Sequence, residues 1–296
     1  MKNFKLGKLP KKFDARTLQL ARYLQLPKLP MPPLSIDHAT LMPMDIGMMG
    51  NDVYGDCTIA AAGHMVQSWS TYAQRGTETI ADADIIAAYK IISPNDTGAY
   101  LLDALNLWKN TGIGKDKIEA FVEVSTGNLT EAKLAIQYFG SLYIGMSLPD
   151  TNTFGPWDVK NPTWAPNPYN GHAVCLIGYN DATQMFKVCT WGEIWDMSYD
   201  WYMKYCDEAY AVLNDIELIE STGLSPEGFN YTTLQEDLSQ IGDPVSPTPD
   251  PVPPAPVPPA PVPPAPTPPD PSNNGGIVLI AVLVVVALIL IWAVAG

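Results

Sequence analysis

The pattern of apolar and polar positions divides the chain into three parts. Up to about residue 240 the two kinds are interleaved, as in a globular domain. Between residues 244 and 271 proline dominates, and from Ile277 to Ala295 every residue is apolar. Within the first part, apolar periodicity predicts helices over 57–72, 82–89, 99–109 and 130–139, the last with Thr130 as its N-cap. Shorter apolar runs predict strands over 141–148, 172–179 and 185–190, the last two joined by a turn at Asn180, Asp181 and Ala182. A further short helix is expected over 198–213, and the proline-rich lead-in 26–49 reads as irregular. Helices first and strands after is an α+β order with a mainly antiparallel sheet. The expected division is an N-terminal arm (1–33), a globular domain (34–240), a proline-rich linker (241–276) and a terminal apolar helix (277–295).

The linker repeats Pro-Val-Pro-Pro-Ala from Pro251, Pro256 and Pro261, with a degenerate copy from Pro266. Proline lacks the N–H that helices and sheets need, so the tract should adopt polyproline II. At ~3.1 Å per residue its 28 residues make a semi-rigid stalk of roughly 85 Å. The 19 residues after it, as a helix, would span about 28 Å, enough for a bilayer core. Trp292 sits where an interfacial aromatic belongs. The expectation is a single-pass C-terminal tail anchor with the lipid bilayer as partner. No Lys or Arg follows Lys204 to set its orientation. The N-terminus shows no apolar stretch of an export signal, so the domain is expected on the cytoplasmic side, with reduced thiols.

Net charge of −14 argues against a nucleic-acid partner. The sign is uneven. Eight of the 17 Lys and Arg fall in the first 28 residues beside a single acid, Asp14. Such a basic arm could touch anionic lipid or nucleic acid; the simpler reading is that it packs on its own acidic domain or stays solvated. Four cysteines without a Cys-x-x-Cys pair, and only three histidines, give no reason to expect a metal or another cofactor.

The residues that suggest chemistry lie in two short segments. One is Gly50-Asn-Asp-Val-Tyr-Gly-Asp-Cys57, running into an alanine-rich helix; the other is Asn170-Gly-His172-Ala-Val. A thiolate is the reactive form of cysteine, so it needs a base and a local positive potential. The helix N-terminus supplies the potential and an imidazole the base. Asp56 would oppose the thiolate if it faced the sulfur, so it is expected to point away. His64, two helical turns beyond Cys57, reads as packing, and Cys175 as core. His38 has no partner motif.

The order of these motifs resembles the papain-like cysteine peptidase superfamily, and within it a papain-like group found in phages and bacteria. Ile36-Asp37-His38 resembles the opening of the peptidase domain, and Asn51 lies six residues before Cys57, where the family places its oxyanion-hole glutamine. Gly171-His172-Ala-Val with Gly178-Tyr179 resembles the strand that carries the base, and Thr190-Trp191-Gly192 the family's Asn-Ser-Trp-Gly strand end. The resemblance implies a papain-like fold over 34–240, a nucleophile at Cys57, a base at His172 and an oxyanion donor at Asn51. Trp191 would then shield the partner of His172 from water. The family's third residue, an Asn, falls on Cys189, whose thiol is a weak hydrogen-bond partner. Asp181, Thr190 and Glu193 are the other candidates for that role. The 56 residues before Cys57 are fewer than the usual inhibitory propeptide.

The leading expectation is a membrane-anchored cysteine hydrolase acting on a peptide or isopeptide bond of a peptide or protein substrate. One alternative is an inactive papain-fold binding module, such as a virion or host-interaction protein. Another is an amidase of cell-wall peptides.

Overall fold

The computed structural model describes residues 4–24, 31–73, 76–151, 153–159 and 163–214. The expected proline stalk and terminal apolar helix lie outside the described residues. Among the described residues, no helix is long and apolar enough to cross a membrane.

The elements, in chain order, are β1 (Ser35–Asp37), α1 (Cys57–Tyr72), α2 (Asp82–Ile92), α3 (Leu101–Asn110), β2 (Ala120–Glu123), α4 (Leu129–Phe139), β3 (Leu142–Ser147), β4 (Gly171–Asn180), β5 (Met185–Thr190), β6 (Glu193–Ser198), α5 (Tyr199–Tyr205) and β7 (Cys206–Leu213). The strands form one seven-stranded antiparallel sheet in the order β2-β7-β3-β4-β5-β6, with β1 added to β4. Successive side chains of a strand point to opposite faces, and the sheet uses both. On one face Ala173, Cys175 and Ile177 of β4 join a core with α1, α2 and α3. On the other, Val174 and Leu176 join a core with α4 and α5. The α+β order read from the sequence is the observed one.

Four local expectations change. The segment 198–213 is not a helix throughout: α5 is short and runs directly into β7, an inner strand between β2 and β3. A strand buried on both faces shows no alternation, and no Gly or Pro separates Tyr205 from Cys206, so the pattern concealed the switch. Strand β6 went unread for lack of a continuous apolar run. The lead-in contains β1. The cap of α4 is Asn128 rather than Thr130: its side chain accepts from the Glu131 N–H at 3.2 Å, and Glu131 Oε1 in turn accepts from the Ser125 N–H. The same helix ends on Gly140 at φ 72°, a left-handed position that suits glycine.

Asn128→Ala should cost about 1 kcal/mol in chemical denaturation, as loss of an N-cap does, while Thr130→Ala should cost little. Equal costs for the two would reject this assignment of the cap.

Candidate active site

Helix α1 is built from small and apolar residues that bury it on nearly every side, and residues 57–70 are all buried. Its first residue, Cys57, therefore meets the sheet rather than solvent. The preceding loop turns sharply at Gly50 (φ 90°), whose carbonyl accepts from the N–H groups of Val53 and Tyr54. A side chain at Gly50 would come within 2.5 Å of Asp56 Oδ2, so this turn needs glycine for both its backbone and its space. The turn carries Asn51, whose Nδ2 donates to the Tyr54 carbonyl at 3.1 Å.

His172 lies at the start of β4, and its Nε2 sits 2.9 Å from Thr190 Oγ1 at the end of β5. The β5–β6 hairpin turns through Trp191 (φ 45°) and Gly192 (φ 77°), both left-handed. Two such residues make the tight turn that matches strand twist, and glycine accepts it freely. Tryptophan does not; a bulky residue there is strained. The strained residue lays its indole flat on His172, with ring centres 4.0 Å apart and planes at 14°. Trp157 flanks the same imidazole at 6.0 Å.

Asn51, Cys57, His172, Cys189, Thr190, Trp191 and His64 line one small cavity of about 10 Å³, room for roughly one water. Of the four residues considered as orienters of His172, Thr190 makes the contact. Cys189 lines the cavity but is registered beside Cys175. Glu193 accepts from Trp195 Nε1 at 3.0 Å, and Asp181, at the far end of β4, accepts from Tyr199 and pairs with Lys133. All four cysteines are free and buried. His64 is buried against Gln67 Oε1 at 3.0 Å, and burial lowers its pKa to about 4.

The N-terminal arm covers the site. Residues 4–9 run across the site as an extended strap. Lys5 N–H donates to the Asn51 carbonyl, Trp191 Nε1 to the Lys5 carbonyl, and the N–H groups of Gly7 and Lys8 both to the Gly171 carbonyl. Phe4 stacks on Trp191 at 4.8 Å. Beyond the site, Leu9 N–H donates to the Ala99 carbonyl and Ala99 N–H to the Gly7 carbonyl. The arm does pack on its own acidic domain. Lys8 pairs with Asp207 and Glu208, Lys11 with Glu123, and Lys12 with Asp103. The strap depends on glycine twice: a Cβ on Gly7 would lie 1.8 Å from the Gly55 carbonyl oxygen, and one on Gly171 1.9 Å from the Lys8 carbonyl oxygen. The charge contrast between the arm and the acidic domain anticipated packing there, but not the arm's path over the site.

Covered in this way, the site is uncharged. Burial pushes the Cys57 thiol up to about 12, against the pull of the Ala173 and Gly7 N–H groups. The favourable field of a helix N-terminus, about 0.3–2 kcal/mol, loses to desolvation here. Burial lowers His172 to about 3, and its Nδ1 makes no hydrogen bond. Cys57 and His172 are thus neighbours in one lining, both neutral, without a hydrogen bond between them. The Asp56 carboxyl, adjacent to Cys57 in the chain, would oppose the thiolate if it ionised. What quiets it is burial, which raises its carboxyl to about 8 despite the Asn51 amide beside it.

No protein-family model and no curated protein matches the chain. Solved structures do. The match to xylellain, a cysteine protease from Xylella fastidiosa, covers 72% of this chain and 97% of that one, with a TM-score of 0.57 and 16% identity. Procathepsin L 3 of the Tenebrio molitor larval midgut aligns over 71% of this chain and 76% of its own, at TM-score 0.51 and 12% identity. Procathepsin B S9 from Trypanosoma congolense aligns over 70% and 87%, at 0.52 and 11%. The fold is that of the papain-like cysteine proteases. The papain-like architecture places α1 against β4, which is where the cavity lies.

Asp56 offers a direct test of this electrostatic picture. Its folded pKa of about 8 exceeds the unfolded value near 3.9, so the folded state holds the extra proton between those limits. Stability should therefore fall as pH rises from 4 to 8 through this group. Asp56→Asn should raise the melting temperature at pH 8 and change it little at pH 4. A melting shift independent of pH would mean that Asp56 is ionised in the fold.

Proposed function

We propose that the chain is a papain-like cysteine hydrolase that cleaves a peptide or isopeptide bond through a thioester on Cys57. The observation that carries this reading is the convergence of Asn51, Cys57, His172 and Thr190 on one cavity at a helix N-terminus. In the reaction, His172 takes the thiol proton and the sulfur attacks the carbonyl carbon. The negative oxygen is held by the Cys57 backbone N–H and the Asn51 amide. As the C–N bond breaks, His172 returns the proton to the leaving amine. Water, deprotonated by His172, then opens the thioester and releases the acid. Thr190 positions the imidazole. A hydroxyl can donate to Nε2 or accept from it, so it fixes the tautomer less firmly than an amide oxygen, which only accepts.

None of this proceeds with the arm in place, because the sulfur is 1% exposed and faces the Gly7 N–H rather than a carbonyl carbon. The hydrolase reading therefore requires the arm to leave. A valine at position 7 should expel it, since its Cβ meets the Gly55 backbone. In full-length Gly7→Val, iodoacetamide should modify Cys57 rapidly below pH 7, and His172→Ala in that background should remove the effect. Reaction only above about pH 8 in the opened chain, as for an ordinary thiol, would reject the hydrolase. That outcome would favour the second reading, an inactive papain-fold binding module, which the absence of a Cys57–His172 hydrogen bond and the threonine partner of His172 support.

The proposal includes a single-pass membrane anchor over 277–295 behind the proline stalk. Its support is the unbroken apolar run in the sequence. Removing residues 272–296 should move the protein from the membrane pellet to the supernatant; continued pelleting would refute the anchor.

A further inference from the structure

The side chain of Lys8 lies in a slot of unusual construction. The slot is floored by Gly145 of β3, where a Cβ would come within 2.4 Å of Lys8 Cε and 2.8 Å of Glu208 Cγ. Its end is closed by two acids that are adjacent in sequence. Adjacent residues of a regular strand point to opposite faces, yet Lys8 Nζ is 2.6 Å from Asp207 Oδ1 and 3.0 Å from Glu208 Oε1. A register shift explains this: Gly145 pairs with Glu208 but Met146 pairs with Cys206, leaving Asp207 as the extra residue of a bulge. Bulges re-aim side chains, and this one turns both carboxylates toward the same ammonium. Both acids are held from behind, Asp207 by the Ser147 hydroxyl and Glu208 by the Tyr210 hydroxyl at 3.1 Å. The Lys8 side chain has no exposed surface, and Glu208 is 1% exposed.

The slot is also next to the proposed chemistry. Gly7, one residue from Lys8, is the residue that faces Cys57 and shares the Gly171 carbonyl with it. Once the arm leaves, the buried Glu208 carboxylate and the half-buried Asp207 carboxylate remain without their cation, an arrangement that disfavours an apolar occupant. We infer that the slot of Gly145, Asp207 and Glu208 is a specificity pocket for a lysine side chain of a peptide substrate, one residue from the position at Cys57, and that Lys8 is its intramolecular stand-in. The substrate role rests on the hydrolase reading; the cation preference of the slot does not.

The test uses full-length chain in mild detergent, opened by Gly7→Val and, independently, by Lys8→Ala. Labelled neutral peptides with one lysine walked along the sequence are compared with norleucine isosteres by fluorescence anisotropy. The lysine peptide of correct register should bind at least about tenfold more tightly than its isostere, as expected for a desolvated charge pair. Asp207→Asn and Glu208→Gln in the opened chain should bring that ratio toward one. Equal binding of the two peptides would overturn the pocket. So would failure of iodoacetamide to modify Cys57 in both opened variants even above about pH 9, where any accessible thiol reacts, which would mean a sealed anchor for the arm. Cleavage is read separately: lysine-selective binding without turnover would reject the hydrolase and keep the pocket.

Discussion

The burial of α1 is the constraint from which the rest follows. A helix whose residues 57–70 are all out of solvent must be enclosed on one side by helices and on the other by the sheet. The alanine run at its start lets β4 approach closely, so the helix N-terminus ends against the strand that carries His172. A larger residue at Ala60 or Ala61 would hold the strand off and separate the sulfur from the imidazole. The chemistry of the site is in this sense a packing consequence.

The same burial sets the electrostatic state. With the arm laid over it, the site holds a neutral thiol, a neutral imidazole and an Asp56 carboxyl raised to about 8 by burial. Desolvation outweighs the helix field because Cys57 is buried. Uncovering it changes the balance in the opposite direction, since water then removes the desolvation penalty and the helix N-terminus favours the thiolate. A single segment of chain thereby controls access and charge together.

Much of this was legible in the sequence, for identifiable reasons. The α1 start and the β4 strand were readable because a Gly-Asp turn before an alanine run, and an apolar stretch after Gly171, are local signals. The helices 82–89 and 99–109 were readable from period alone, and the structure only moves their ends. Strand β7 was not, because an inner strand has no polar face to alternate with. Nor was the choice among Cys189, Thr190, Glu193 and Asp181: it depends on the β5–β6 hairpin, whose strained Trp191 turn has no local sequence cue. The path of the arm depends on contacts between residues far apart in the chain, such as Lys8 with Asp207, and no periodicity encodes those.

The three lysine anchors of the arm differ in their surroundings. Lys8 is enclosed, whereas the side chains of Lys11 and Lys12 are 33% and 44% exposed. Dissolved ions screen the outer two and hardly reach the inner one, since the screening length is about 8 Å at physiological ionic strength. Rising ionic strength therefore loosens the arm from its outer part inward, leaving residues 4–9 seated over the sulfur while residues 11–12 are free. The strap is thus hinged rather than simply bound: its attachment to the surface yields to the medium, and its seat in the cleft yields only to something that replaces Lys8.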